Sequence, residues 1–234
     1  MKTILAFLLL AALQSAPGQQ LSGDDVLRKA ERNFEGLQDY TVTLDIVADI
    51  ERMKVPPMHA TMYFKQPEKV HFDAQGFVFL PREGMGVQFG QLTRKYAVDS
   101  VARETVDGAL RYRLALHPRD EKAIVRRIFM WIDASRWTPE RILLPQPDGH
   151  AIEARFAYLR TGAFWLPASL VVSFSAAVKD TTVQPQDNNP FTGAATMMQR
   201  GTMRAGTVTV KYSDYHVNTG LPDALFQSDA EKHR

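Results

Sequence analysis

The chain has 234 residues, 45% hydrophobic and 23% charged, ordinary globular usage that fits one large domain or two small ones and can bury a sizeable core. Its 28 basic and 26 acidic residues leave a formal charge of +2, without the basic excess or stripe by which phosphate backbones are bound, so no nucleic-acid partner is expected. Having no cysteine, it can form no disulfide, thiol nucleophile or thiolate metal site, and it carries no cysteine for a lipid anchor.

At the start, Met1-Lys2-Thr3 precede an apolar run from Ile4 to Ala12 and then Ala16-Pro17-Gly18, small residues where a signal peptidase inspects the chain. Residues 1–18 read as a signal peptide cleaved after Gly18. The run falls short of the roughly 20 residues that a membrane span needs, and no later segment approaches that length. The expectation is a soluble, exported chain in a bacterial periplasm, with one domain over 19–227 and a polar tail over 228–234.

Ser22-Gly23-Asp24-Asp25 is a helix start, with Ser22 placed to cap and Asp25 three residues on. Val26, Leu27, Ala30, Phe34 and Leu37 follow at helical spacing, with Arg28, Lys29, Glu31 and Arg32 opposite. The pattern predicts one amphipathic helix closing near Gly36. The period then switches to two, predicting a strand from Tyr40 to Met53. Further strands are expected at Ala60 to Lys65, Lys69 to Asp73, Tyr96 to Val106, Leu110 to Leu116 and Ile124 to Asp133. The last four are Arg141 to Leu144, Ala151 to Leu159, Ala168 to Val178 and Thr207 to Val217. Asp107-Gly108 and Asp148-Gly149 are hairpin signals. Short connections join antiparallel neighbours. The fold class is therefore α+β and mainly β: one large antiparallel sheet with an N-terminal amphipathic helix. Residues 179–206 follow neither period and are rich in Gly, Pro, Asn, Asp and Thr, a long insertion or flap.

Chemistry-bearing motifs are missing from the sequence. The six histidines fall at no metal-ligand spacing, no Gly-x-Ser-x-Gly elbow is present, and Gly84-Met85-Gly86 lacks the remainder of a nucleotide fingerprint. Neither metal nor cofactor is expected, and no enzymatic activity; a hydrolase with a dispersed site is the weaker alternative. What stands out is greasy alternation. Tyr112, Leu114 and Leu116 share a strand face, as do Ile128, Met130 and Ile132, Leu170, Val172 and Phe174, and Val208, Val210 and Tyr212, while Arg111, Arg113 and Lys211 fall on the other. A helix of roughly 14 residues, about 21 Å long, cannot cover eight or more strands spaced about 4.8 Å apart. The sheet must curl around its own side chains, as an ordinary packed core, or around a ligand.

The order of these elements, with "MYFKQPEKVHF" from Met62, "RRIFMWIDASRWTPERILLPQPDGHAIEARF" from Arg126 and "VKYSDYHVNTGLPDALF" from Val210, resembles the bacterial periplasmic lipoprotein carrier family of LolA and its LolB- and RseB-like relatives over about Asp24 to Phe226. The resemblance implies an incomplete antiparallel barrel, lidded by helix, around an apolar cavity for the acyl chains of a lipid or lipoprotein. Burying an acyl chain is worth about 0.8 kcal/mol per methylene, so ~15 methylenes hold roughly 12 kcal/mol and a shuttle must match that with apolar surface. On this reading the cavity is lined by Val42, Leu44, Ile46, Met62, Phe64, Phe72, Met130, Val172 and Phe174, and the lid's inner face is Leu27, Ala30 and Phe34.

LolA-type carriers have Lys-Arg-Pro before the third strand, the arginine bonding lid backbone in the closed state; here the residues are Lys65-Gln66-Pro67. Gln66 is thus the lid-contact and gating candidate, an amide without charge or a five-donor fork. The implied partners are acyl chains together with membrane-bound donor and acceptor proteins, and the implied carrier is a monomer that shuttles cargo towards the outer membrane. An RseB-like lipid-sensing partner of another protein is the alternative.

Overall fold

The computed structural model describes residues 21–67, 69–74, 93–120, 123, 125–146, 150–174 and 205–226. The expected signal peptide, the Asp148-Gly149 hairpin, nearly all of the 179–206 insertion and the 228–234 tail lie outside these residues. One helix, α1 (Gly23–Arg32), opens the described chain, and three strands follow: β1 (Asp39–Ile50), β2 (Met58–Lys65) and β3 (Lys69–Ala74). Seven more complete the sheet: β4 (Tyr96–Val106), β5 (Ala109–Pro118), β6 (Ile128–Asp133), β7 (Pro139–Pro145), β8 (Ala151–Thr161), β9 (Phe164–Phe174) and β10 (Gly206–Val217). A 3-10 turn, Asp223–Phe226, ends the described residues.

The helix starts as its sequence dictates. Ser22 Oγ accepts from the Asp25 amide at 3.1 Å and the Asp25 carboxylate accepts from the Ser22 amide at 3.2 Å, a reciprocal cap. It ends earlier than its apolar spacing predicts, at Arg32 instead of near Gly36. Asn33 caps it, its amide bonding the Ala30 and Glu31 carbonyls. Phe34 and Leu37 still bury with the helix face, but from the turn that follows it and the residue just after that turn. At 10 residues the helix is about 15 Å long.

All ten strands form one open antiparallel sheet in the order β3-β2-β1-β10-β9-β8-β7-β6-β5-β4. Chain neighbours pair throughout β4 to β10, and β9 and β10 do so across the long 179–206 insertion. Asp107 and Gly108, both with left-handed φ of 51° and 74°, make the predicted two-residue turn between β4 and β5. The first three strands join the meander because β1 pairs β10, with Ile46 opposite Val210. The edges β3 and β4 do not pair with each other, so the barrel is incomplete.

Among the strands that run further than the sequence pattern suggests, β7 and β9 each contain a proline at an irregularity. Pro139 opposes Ile132 where the β6–β7 register shifts, and Pro167 opposes Tyr158 where the β8–β9 register shifts. A residue without an N–H is tolerated where the ladder is already broken. Both freed carbonyls accept a phenol: Tyr158 donates to Pro139 at 2.8 Å and Tyr215 to Pro167 at 2.7 Å.

Alternation then separates two faces. The outer face of β4 to β8 carries a ladder of charge. Arg113 pairs with Glu104, Trp131 Nε1 donates to Glu104 at 2.9 Å, and Arg141 stacks 4.3 Å above the Trp131 ring while bonding Glu153 at 2.7 Å. The bonds from Arg113 and Trp131 hold the Glu104 carboxyl below its ordinary value. The inner face is apolar and carries the core.

Candidate functional site

Because strand partners sit side by side, the inner face can be followed across the sheet. One row runs Ala48, Val208, Val172, Ala154, Ile142, Met130, Leu114 and Val101, from β1 to β4, without a polar side chain. On the other side of β1, Val42 opposes Met62, which opposes Phe72, and Tyr40 opposes Phe64 with rings stacked at 4.9 Å. The nine residues expected to line an acyl-chain cavity lie on this inner face, most of them packed within the core. Val42, Leu44, Ile46, Met62, Phe64, Met130 and Phe174 are buried, whereas Phe72 and Val172 are half-buried. The three expected lid residues, Leu27, Ala30 and Phe34, bury in the same cluster.

The lid lies along one edge of this face. A Cβ on Gly23 would stand 2.2 Å from Val98 Cγ1, so the first turn of α1 touches β4 as closely as only glycine permits. Further along, Thr93 donates to Glu31 at 2.7 Å. Lys29 Nζ sits 4.6 Å above the Trp137 ring, which stacks on Tyr112 at 5.5 Å.

The other end of the lid is tied to the end of the described chain, a connection that no periodicity announces. Asn218 Nδ2 donates to the Gly36 carbonyl at 2.9 Å and its Oδ1 accepts from the Gln38 amide at 2.7 Å. Buried Asp39 accepts from the amides of Thr219, Gly220 and Leu221. Lys65 donates to the Leu221 carbonyl at 2.7 Å, and Lys65 and Lys69 reach Asp223 at 2.7 and 3.0 Å. These two cations hold the Asp223 carboxyl below its ordinary value. The residues 218–223 therefore strap together the lid's base, the start of β1 and the β2–β3 turn.

Gln66 lies at that turn, next to a cis bond to Pro67, and its amide donates to the Gln38 carbonyl at 2.8 Å. With Phe34, Leu37, Tyr40, Phe64, Leu166 and Pro167 it encloses a small cavity of about 10 Å³. The bond to Gln38 runs from the Gln66 backbone to the segment between α1 and β1, not to the helix, and does not involve the side-chain amide. A larger cavity, about 270 Å³, opens where β4 begins and β5 ends.

Burial pushes the phenols of Tyr40, Tyr158, Tyr212 and Tyr215 above their ordinary value, so all four stay protonated at neutral pH. Among the described residues no group of three or more His, Asp or Glu is placed to hold a metal ion. None of their helices is long and apolar enough to cross a membrane.

No protein-family model matches the sequence. No curated protein matches it either. Solved structures do match, by shape. A LolA superfamily protein from Nitrosomonas europaea superposes with a TM-score of 0.59 at 14% identity, covering 90% of this chain and 100% of that one. A putative outer membrane lipoprotein-sorting protein domain from Vibrio parahaemolyticus gives 0.58 at 12% identity, over 89% and 97% of the two chains. A DUF1329 family protein from Desulfovibrio piger gives 0.59 at 12% identity, over 88% and 96%. At these identities the finding is the fold: the open sheet and N-terminal helix expected from the sequence resemblance are the architecture that all three share with this chain.

Proposed function

We propose that this chain is a carrier, exported to the periplasm, that takes the acyl chains of a lipid or lipoprotein against the inner face of its sheet and moves them towards the outer membrane without covalent chemistry. What supports the reading most is one relationship: an apolar row crosses eight strands, and the helix laid along the β4 edge is about 15 Å long. Phe72, Val172, Ala48 and Val101 are the half-buried positions among the residues followed across that face. A face of this kind offers an acyl chain the same environment as a bilayer interior at about 25 cal/mol per Å² of apolar surface removed from water. The likeness in fold to a lipoprotein-sorting domain agrees with the reading.

The test is to purify the protein from periplasm, extract it and identify bound lipid by mass spectrometry. Co-purifying acyl lipid, displaced by a fluorescent acyl probe, is the expected result. An empty protein that binds no probe sinks the proposal.

A further inference from the structure

The end of the β4–β5 pair remote from the Asp107-Gly108 turn holds a cavity of about 270 Å³ that belongs to neither the apolar row nor the strap. Its floor is buried Tyr96 and Ala123 together with Pro118, which opposes Tyr96 in the ladder. Its rim carries Arg94, Lys95 and Arg119 against one carboxylate, Asp120. The Arg119 amide donates to the Lys95 carbonyl at 2.8 Å, extending the strand pair and fixing the two basic residues side by side. Among the described lining residues basic side chains outnumber the acidic one, in a chain whose 28 basic and 26 acidic residues nearly cancel.

Position adds to charge. Tyr96 belongs to the apolar core as well as to the lining of the cavity. Thr93, bonded to Glu31 of the lid, immediately precedes Arg94. The basic rim therefore stands where the lid meets the sheet edge. Size decides what fits. The volume equals about nine waters at ~30 Å³ each, room for a phosphate with a small alcohol but not for acyl chains. Arginine forks match paired phosphate oxygens and lysine supplies a further point charge.

We infer that this cavity binds the phosphate of an anionic headgroup on the acylated cargo, an inference that rests on the carrier reading. The chains lie on the inner face and the headgroup stays at the edge of the lid, so charge, which the apolar face ignores, selects among cargoes of equal chain length.

Calorimetry on the delipidated full chain tests this with four probes: dihexanoyl phosphatidylglycerol, dihexanoyl phosphatidylcholine, glycerol phosphate and inorganic phosphate. The anionic lipid should bind about tenfold more tightly than the zwitterionic one, the size of one charge-assisted contact. In Arg94→Ala/Arg119→Ala that preference should vanish while a fluorescent acyl probe binds as before. Arg155→Ala, on the outer face, should keep it. Equal affinity for the two lipids, or a preference that survives in the double variant, overturns the inference and leaves the carrier reading intact. Inorganic phosphate that binds as tightly as the anionic lipid, and is lost in the double variant, reassigns the cavity to free phosphate. Failure of every acyl probe, with glycerol phosphate still bound through Arg94 and Arg119, sinks the carrier reading and leaves a phosphate site.

Discussion

Asp39 closes the end of the described chain onto the base of the lid through Gly220: its Oδ2 accepts the Gly220 amide at 3.1 Å while its Oδ1 accepts the Thr219 amide at 2.8 Å, with the carboxylate only 2% exposed. Removing a buried acceptor strands its donors, which costs more than the bonds were worth net. Asp39→Ala should therefore lose about 2–3 kcal/mol, and Asn218→Ala, at an exposed site, about 1 kcal/mol. Urea unfolding with an unchanged m-value checks both. A loss below ~0.5 kcal/mol for Asp39→Ala would show that the strap is slack.

On the inner face, exposure predicts which substitutions report on ligand and which on folding. Phe64 is 3% exposed and stacked on Tyr40, so Phe64→Glu buries an unpaired charge and should destabilise by several kcal/mol. Val172→Glu and Phe72→Glu, at half-buried positions, should cost under about 1.5 kcal/mol yet weaken acyl-probe binding at least tenfold. If these two unfold the protein as Phe64→Glu does, the face is filled core.

Gly23→Ala places a methyl 2.2 Å from a β-branched side chain that has little freedom to yield. The first turn of α1 should lift from β4 at a cost of about 1–3 kcal/mol, typical of overpacking. Stopped-flow release of a bound acyl probe should quicken if α1 controls access. Unchanged release with lowered stability would make the helix a strut.

The outer ladder gives a pH signature. Glu104 titrates below its ordinary value of 4.5 because of the bonds from Arg113 and Trp131. A carboxyl depressed in the folded state contributes stability that is complete above its unfolded value and is lost as pH falls through the folded one. Glu104→Gln should therefore trail the wild type by about 0.5–1 kcal/mol near neutrality, a figure held down by solvent screening at a one-third-exposed group. The gap should close as the pH drops below 4.5. A gap that widens in acid would contradict the assigned pairing.

Local pattern carried much of this fold. The switch from helical to two-residue period between Leu37 and Tyr40 marks the α1–β1 boundary, and strict alternation in Val42-Leu44-Ile46 and Tyr112-Leu114-Leu116 names the inner face. Proline misled where a bulge absorbs it: β9 starts at Phe164 instead of Ala168, and β7 at Pro139 instead of Arg141. β6 begins at Ile128, later than the apolar run from Ile124 predicts, because Val125 is apolar and buried without being strand. What stayed invisible is everything joining distant segments. Asp39 with Thr219, Lys65 with Asp223, and Glu104 with Trp131 depend on strand order, which periodicity does not encode. The Gln66 position was legible only through family likeness, and its neighbours Phe34 and Leu166 only through the folded chain.

The pairing of the first strand with the last also sets a schedule. A chain delivered N-terminus first completes β1 and β2 early, but the second edge of β1 has no partner until Gly206–Val217 arrives. Until then an apolar strand presents open backbone donors and acceptors, the template on which sheets join between molecules. Non-local pairing of this kind is slow to form. The nascent protein is thus most vulnerable to aggregation just before β10 is released, and a truncation that removes β10 should be handled by the cell as an unfolded chain, not as a folded protein with a shortened tail.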